Sequence, residues 1–136
     1  MKFLVDADVL SEPTKPTPSP RVVDWLRQNE IELAVNPIIL GEIEYGILLL
    51  QPGKRRRRLQ QWFARGVQQM RSLELDVHAA SRWAELLARL KRKGLSMPIK
   101  DSLIAATALS HGLSIATRNV ADYRHAGVTL LNPFED

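Results

Sequence analysis

The sequence predicts an α/β fold: a central parallel sheet of about five strands flanked by helices. Three observations predict it. Short apolar runs of strand length recur along the chain, beginning with Phe3-Leu4-Val5, and longer stretches of helical periodicity separate them. The first run has no polar interruption, the mark of a strand buried on both faces. Two helix starts carry a capping residue followed by proline, Ser19-Pro20 and Asn36-Pro37. Strands alternating with helices in this way favour a doubly wound parallel arrangement.

The elements follow in order. After the first strand, Val9 to Lys15 is read as a short helix. A proline-rich loop, Thr14 to Pro20, then resists helix because its prolines lack donors. Ser19 caps a helix that runs to about Asn29, with Val22, Val23, Trp25 and Leu26 on its apolar side. Ile31 to Val35 alternates and is expected as the second strand. The next helix runs to Leu50 and ends before Pro52-Gly53. Lys54 to about Met70 places Leu59, Trp62, Phe63, Val67 and Met70 on one helical face. Leu73 to Leu75 is expected as a third strand. Val77 to Lys93 is a long amphipathic helix, stopped at Gly94. Ser96-Met97-Pro98 opens an alanine-rich helix that ends at Gly112. Leu113 to Thr117 and Val128 to Leu131 are the fourth and fifth strands, with a turn over Asn119 to Tyr123.

A chain of 136 residues is expected to form one domain, 1–136, with a real core. Apolar content of 45% beside 25% charged residues is an ordinary globular balance. The absence of cysteine excludes disulfides and thiolate metal sites. No apolar run reaches the roughly 18 residues that a membrane span needs. Met1-Lys2 leads straight into a strand rather than a signal peptide, so a cytoplasmic location is expected. A net charge of +4 is concentrated in Lys54 to Arg58 and Arg89 to Lys93, which suits a polyanionic partner.

Four acids are placed unusually. Asp6 ends the first strand. Glu42 interrupts an apolar helix just after the second. Asp101 lies in the first turns of the alanine-rich helix. Asp122 closely follows the fourth strand. All fall at the carboxyl rim of the sheet, where ligands of such folds bind. Clustered carboxylates repel one another and raise their own pKa values unless a cation sits among them. Mg²⁺ suits such oxygen ligands, and a bound water can then attack phosphorus. Mn²⁺ suits them equally. Each acid also has a plainer role: Asp6 as a helix cap, Glu42 as an exposed helix residue, Asp101 as a favourable N-terminal acid, Asp122 as a turn residue. Asp8 and Glu44 read as supporting residues.

Three segments carry a family resemblance. They are Leu4-Val5-Asp6-Ala7-Asp8-Val9-Leu10-Ser11-Glu12, Leu40-Gly41-Glu42-Ile43-Glu44-Tyr45-Gly46, and Asp101-Ser102-Leu103-Ile104-Ala105-Ala106-Thr107-Ala108 continuing to Ala116-Thr117-Arg118-Asn119-Val120-Ala121-Asp122-Tyr123. In order and spacing the chain resembles the PIN-domain nucleases, and among them the VapC toxins of type II toxin–antitoxin pairs. The resemblance implies a PIN-like fold and a Mg²⁺-dependent endoribonuclease. It implies Asp6 and Asp101 as principal metal ligands, Glu42 as the holder of a second ion or of the attacking water, Asp122 as the fourth metal-binding catalytic acid, and Thr117 and Asn119 as supports through hydrogen bonds. It also implies a small cognate antitoxin protein as partner, and a homodimer. This sequence departs from the family pattern at Asp8, where Asn or Ser is common, and at Glu44, where a basic residue is common. Asp8 is therefore an added ligand or a cap, and Glu44 faces a partner or competes with Glu42.

Lys100 and Arg118 flank proposed ligands and are candidates for RNA phosphate. Arg55 and Arg56, in the Lys54 to Arg58 tract, are further candidates, the alternative being a solvated face. His78, His111 and His125 show no metal-ligand spacing. Two other readings stand beside it. Asp6-Ala7-Asp8 is also similar to the DxD of haloacid-dehalogenase phosphatases, in which Asp6 would be the nucleophile, but Val9-Leu10 stand where Gly-Thr is usual. A catalytically inactive PIN module that binds RNA or protein is the non-enzyme alternative.

Overall fold

A computed structural model describes residues 1–135. Four parallel strands form its sheet: β1 (Phe3–Val5), β2 (Leu33–Ala34), β3 (Ser114–Ala116) and β4 (Leu130–Leu131), in the order β2-β1-β3-β4. Their register aligns Leu4 with Ala34 on one side and with Ile115 on the other. β1 is thus central, as its apolar run requires. Leu4, Val5, Ala34 and Ile115 are all fully buried. Each such burial is worth roughly 1.5–3 kcal/mol for the larger side chains.

A fifth segment joins beyond β2 by a single parallel bridge, Ser72 with Val35. The strand expected over Leu73 to Leu75 is therefore reduced to one bridge, placed one residue earlier. Asp76 follows at once and caps the next helix by accepting from the Ala79 N–H, which leaves no length for more pairing.

The helices are α1 (Ala7–Leu10), α2 (Pro20–Gln28), α3 (Pro37–Leu48), α4 (Lys54–Arg65), α5 (Val77–Arg92), α6 (Ile99–His111) and α7 (Val120–Tyr123). Both cap-plus-proline starts form as expected. Ser19 Oγ accepts from the Val22 N–H, and Asn36 Oδ1 from the Ile39 N–H. At three places the chain departs from its pattern. The helix expected over Val9 to Lys15 begins earlier, because Asp6 itself caps α1 through the Ala7 N–H at 2.9 Å, and it continues only as a 3-10 turn over Glu12–Thr14. Ile31 is 89% exposed in a 3-10 turn, so the second strand starts at Leu33, where the chain first reaches β1. The helix from Lys54 stops at Arg65, after which Gly66 leads into a 3-10 turn over Val67–Gln69.

The long α5 packs on α6, with Leu86 and Leu90 buried in the core. The small residues Ala105, Ala106 and Ala108 let α6 lie close to its neighbours, and all three are fully buried. Gly112 ends α6 in the left-handed conformation, φ +66°, where a side chain would be strained. The chain reverses there and enters β3. That reversal sets the N-terminal turn of α6 at the carboxyl rim of the sheet. No helix among the described residues is long and apolar enough to cross a membrane.

Candidate active site

The rim gathers acids because strands and helices meet there. Asp6 is the first residue beyond β1, 5% exposed. Asp101 stands in the first turn of α6, 6% exposed. The link between them is Tyr123, buried at the end of α7. Its hydroxyl lies 3.2 Å from Asp6 Oδ2 and 3.4 Å from Asp101 Oδ1. One phenolic proton is shared by two carboxylates. Burial, followed by the charge of Asp6, raises the Tyr123 pKa, so the hydroxyl stays protonated and donates. Thr117, just past β3, donates its hydroxyl to the same Asp6 oxygen at 2.9 Å and accepts from the Asn119 N–H at 3.0 Å.

Asp6 is therefore both the cap of α1 and a member of the acid cluster. The two readings of this residue were not exclusive. Thr117 hydrogen-bonds Asp6 with its side chain. Asn119 contributes through its main-chain N–H; its side chain is exposed and makes no capping bond. Asp122 is exposed on α7, and its charge is felt at Asp101.

Asp8, in the first turn of α1, accepts from the Arg118 N–H at 3.1 Å with one oxygen, while its other oxygen is buried without a partner. Burial and the neighbouring Asp6 charge push the Asp8 carboxyl up from 3.8 to about 6. Burial likewise raises Asp101, against the pull of Lys100. Glu42, on α3, is half-buried. It meets the Lys100 ammonium at 2.5 Å through Oε2, and its Oε1 is buried and unpartnered. Glu44 is exposed on another face of α3 and stays out of the cluster.

Residues further back hold this arrangement. Asn36 is fully buried; besides capping α3, its Nδ2 donates to Thr107 Oγ1 at 3.1 Å. The helix bearing Glu42 is thereby tied to the helix bearing Asp101. Trp83 on α5 donates Nε1–H to Ser102 Oγ at 2.9 Å, anchoring the first turn of α6. Tyr123 and the Asn36–Thr107 bond were not singled out in the sequence. Tyr123 carried one usable signal, an amphipathic aromatic directly after Asp122.

A groove of about 370 Å³ opens beside Asp8 and Glu42, lined also by Arg55, Trp62, Arg118 and Phe134. The Arg118 guanidinium stacks over the Phe134 ring at 4.4 Å. Arg55 faces this groove. Arg56 turns back instead, half-buried, with Nη1 3.5 Å from the Leu50 carbonyl. The three histidines are exposed and distant in role.

The donor set fits a hard divalent cation. It consists of carboxylates, of which Asp8 and Glu42 each keep a buried oxygen without a partner, and burial together with the charge of neighbouring carboxylates pushes Asp8 and Asp101 up. Among the described residues no three acidic or histidine side chains converge enough to enclose an ion unaided. Such a shell would be completed by water, as Mg²⁺ prefers.

The raised Asp8 pKa has a consequence for stability. A folded-state pKa above the unfolded value means a contribution present below about pH 4 and lost as pH rises through about 6. Asp8→Asn should therefore stabilise the metal-free protein by roughly 1–2 kcal/mol at pH 8, after discounting for partial solvent screening. Near pH 4 it should match the wild type. Urea denaturation at both pH values measures this, and an equal difference at the two would rule out Asp8 as the source.

Comparison with known proteins places this geometry. The PIN domain family model matches residues 3–127. The Toxin FitB of Neisseria gonorrhoeae is 33% identical, over 98% of this chain and 99% of its own length. The VapC ribonuclease Y4jK of Sinorhizobium fredii is also 33% identical, over 98% of each chain. In the solved structure of FitAB bound to an IR36 DNA fragment, one chain superposes with a TM-score of 0.90 at 32% identity, covering 97% of this chain and 95% of that one. With a parallel sheet whose rim carries Asp6 and Asp101, and with these relatives along nearly its whole length, the chain belongs to the PIN domain family.

Proposed function

We propose that this chain, acting as one PIN domain, is a metal-dependent endoribonuclease and the toxin of a toxin–antitoxin pair. One observation carries the reading: two buried carboxylates, Asp6 and Asp101, held in register by a single tyrosine hydroxyl at an open rim. A structural ion pair would place a cation between the two, and here the group they share is neutral; Lys100 reaches only Asp101, at 3.9 Å. The ribonuclease and toxin names of the relatives support the same reading.

Asp6 and Asp101 would hold Mg²⁺ or Mn²⁺, with Glu42 and Asp122 on its flanks. The bound ion would lower the pKa of a water for attack on phosphorus and offset charge on the phosphate. The chain's own residues prepare that site. Thr117 and Tyr123 both donate to Asp6 Oδ2 and fix the carboxylate at the rim. Arg55 and Arg118 line the groove beside Asp8 and Glu42 and are suited to phosphate oxygens. A small antitoxin protein is the proposed partner, by likeness to the FitAB complex.

RNA cleavage by purified protein, with Mg²⁺ or Mn²⁺ and with EDTA, tests the reading beside Asp101→Asn prepared identically. Cutting that requires metal and vanishes in the variant is the expected result. Cutting that persists in EDTA would overturn it. The basic tract gives a second check. Replacing Arg55, Arg57 and Arg58 with glutamine should weaken RNA binding and flatten its salt dependence, each lost phosphate contact removing roughly 0.7 from the log–log slope for single strands. An unchanged slope would return the tract to plain surface.

A further inference from the structure

Lys100 stands where a lysine is locally unfavourable. It occupies the first turn of α6, where the helix dipole favours acids over cations. Its ammonium is nonetheless held on the acid cluster, 2.5 Å from Glu42 Oε2 and 3.9 Å from Asp101 Oδ1. Those two acids lie on different helices, α3 and α6, so the lysine spans the rim between them. On the opposite side of Asp101 the situation differs. Asp6 and Asp101 share only the Tyr123 hydroxyl, and no cation of the chain reaches Asp6 among the described ion pairs. Lys100 thus offsets charge at Glu42 and, more distantly, at Asp101, while Asp6 has no cation beside it among the described ion pairs.

We propose that Lys100 is a tethered cation occupying the Glu42 flank, so that this protein loads one divalent ion, at Asp6 and Asp101, and presents the ammonium to the substrate phosphate in place of a second ion. The proposal rests on the metal-dependent nuclease reading. A divalent ion can reach Glu42 Oε2 only by displacing Lys100, which is covalently confined beside it. The ammonium is a compact point charge with three donors, able to keep Glu42 and turn another donor toward a phosphate oxygen.

The test counts Mn²⁺ bound to the intact protein by electron paramagnetic resonance and calorimetry. It uses the wild type, Lys100→Met, Lys100→Arg, Asp101→Asn and the double variant Lys100→Met/Glu42→Gln. Thermal unfolding of each reports that the variants are folded. The wild type is expected to bind one ion, lost in Asp101→Asn. Lys100→Met should gain a second ion, bound at least roughly tenfold more tightly than any second event in the wild type, because a unit charge a few ångströms away has been removed. The second ion should be absent in the double variant and in Lys100→Arg, which keeps the charge. Cleavage by Lys100→Met should then rise more steeply with metal concentration than cleavage by the wild type.

Two ions on the wild type would overturn the proposal, as would a Lys100→Met protein that still binds one. If the wild type binds a single ion that Asp101→Asn loses, and Lys100→Met gains none, the Lys100 role fails while the nuclease reading stands. If no variant binds an ion, both fall together.

Discussion

Asp101→Asn is expected to lower metal-dependent RNA cleavage by at least roughly 100-fold, the upper end of what loss of a residue one step outside a metal shell already costs. Asp101 is a stronger case than such a residue, because it supplies an oxygen at the cluster itself. The substitution keeps size and shape but removes the charge that would hold a cation. It is also the cleaner of the two obvious choices. Asp6 caps α1 and accepts from Thr117 and Tyr123, so an amide there disturbs three hydrogen bonds. Asp101 accepts only the long bond from Tyr123 and stands 3.9 Å from Lys100. Its buried carboxyl titrates above its ordinary range, so neutralising it should leave stability equal or slightly higher. Initial cleavage rates and urea denaturation on the same preparations separate the two effects. Wild-type rates in the variant would remove Asp101 from the reaction.

Asn36→Ala should cost roughly 2–4 kcal/mol of stability, combining a lost helix cap with buried groups left unpaired. The residue is fully buried, and its two side-chain atoms do separate work. Oδ1 satisfies the Ile39 N–H at the start of α3, and Nδ2 reaches Thr107 on α6. Alanine deletes both and leaves a void. Asn36→Ser should recover only the cap. Because Glu42 rides on α3 and Asp101 on α6, loosening this bond should also lower cleavage by about tenfold, as small displacements of catalytic groups do. Denaturation midpoints and single-turnover rates at a temperature where the variant is folded give both quantities. An unchanged midpoint would show that α3 and α6 are held together elsewhere.

Local signals carried a large share of this protein. Phe3-Leu4-Val5 announced a strand buried on both faces, because such a run leaves no polar side to face water. Ser19-Pro20 and Asn36-Pro37 announced helix starts, because a side-chain oxygen satisfies an orphan N–H and proline needs none. Gly112 announced a helix end. The rim placement of Asp6, Glu42 and Asp101 followed from those elements, since parallel strands put their carboxyl ends on one side.

Other features depended on neighbours that no local pattern encodes. Ile31 alternates correctly for a strand, yet it is exposed, because pairing begins only where the chain meets β1. Leu73 to Leu75 has strand composition, but the next helix's cap at Asp76 ends the approach after a single bridge at Ser72. Lys100 and Glu42 are 58 residues apart, Tyr123 and Asp6 are 117 apart, and Asn36 and Thr107 are 71 apart.

The sequence by itself determined most of the elements, their order and the side of the sheet on which Asp6, Glu42 and Asp101 fall. These depend on backbone sterics, capping and the period of apolar residues, all of which act over a few positions. The tertiary structure alone decided which acid is bridged by Tyr123, which is neutralised by Lys100 and which keeps an unpaired oxygen. Those choices depend on distances of about 3 Å between segments remote in the chain, and such distances exist only once helices and sheet have packed.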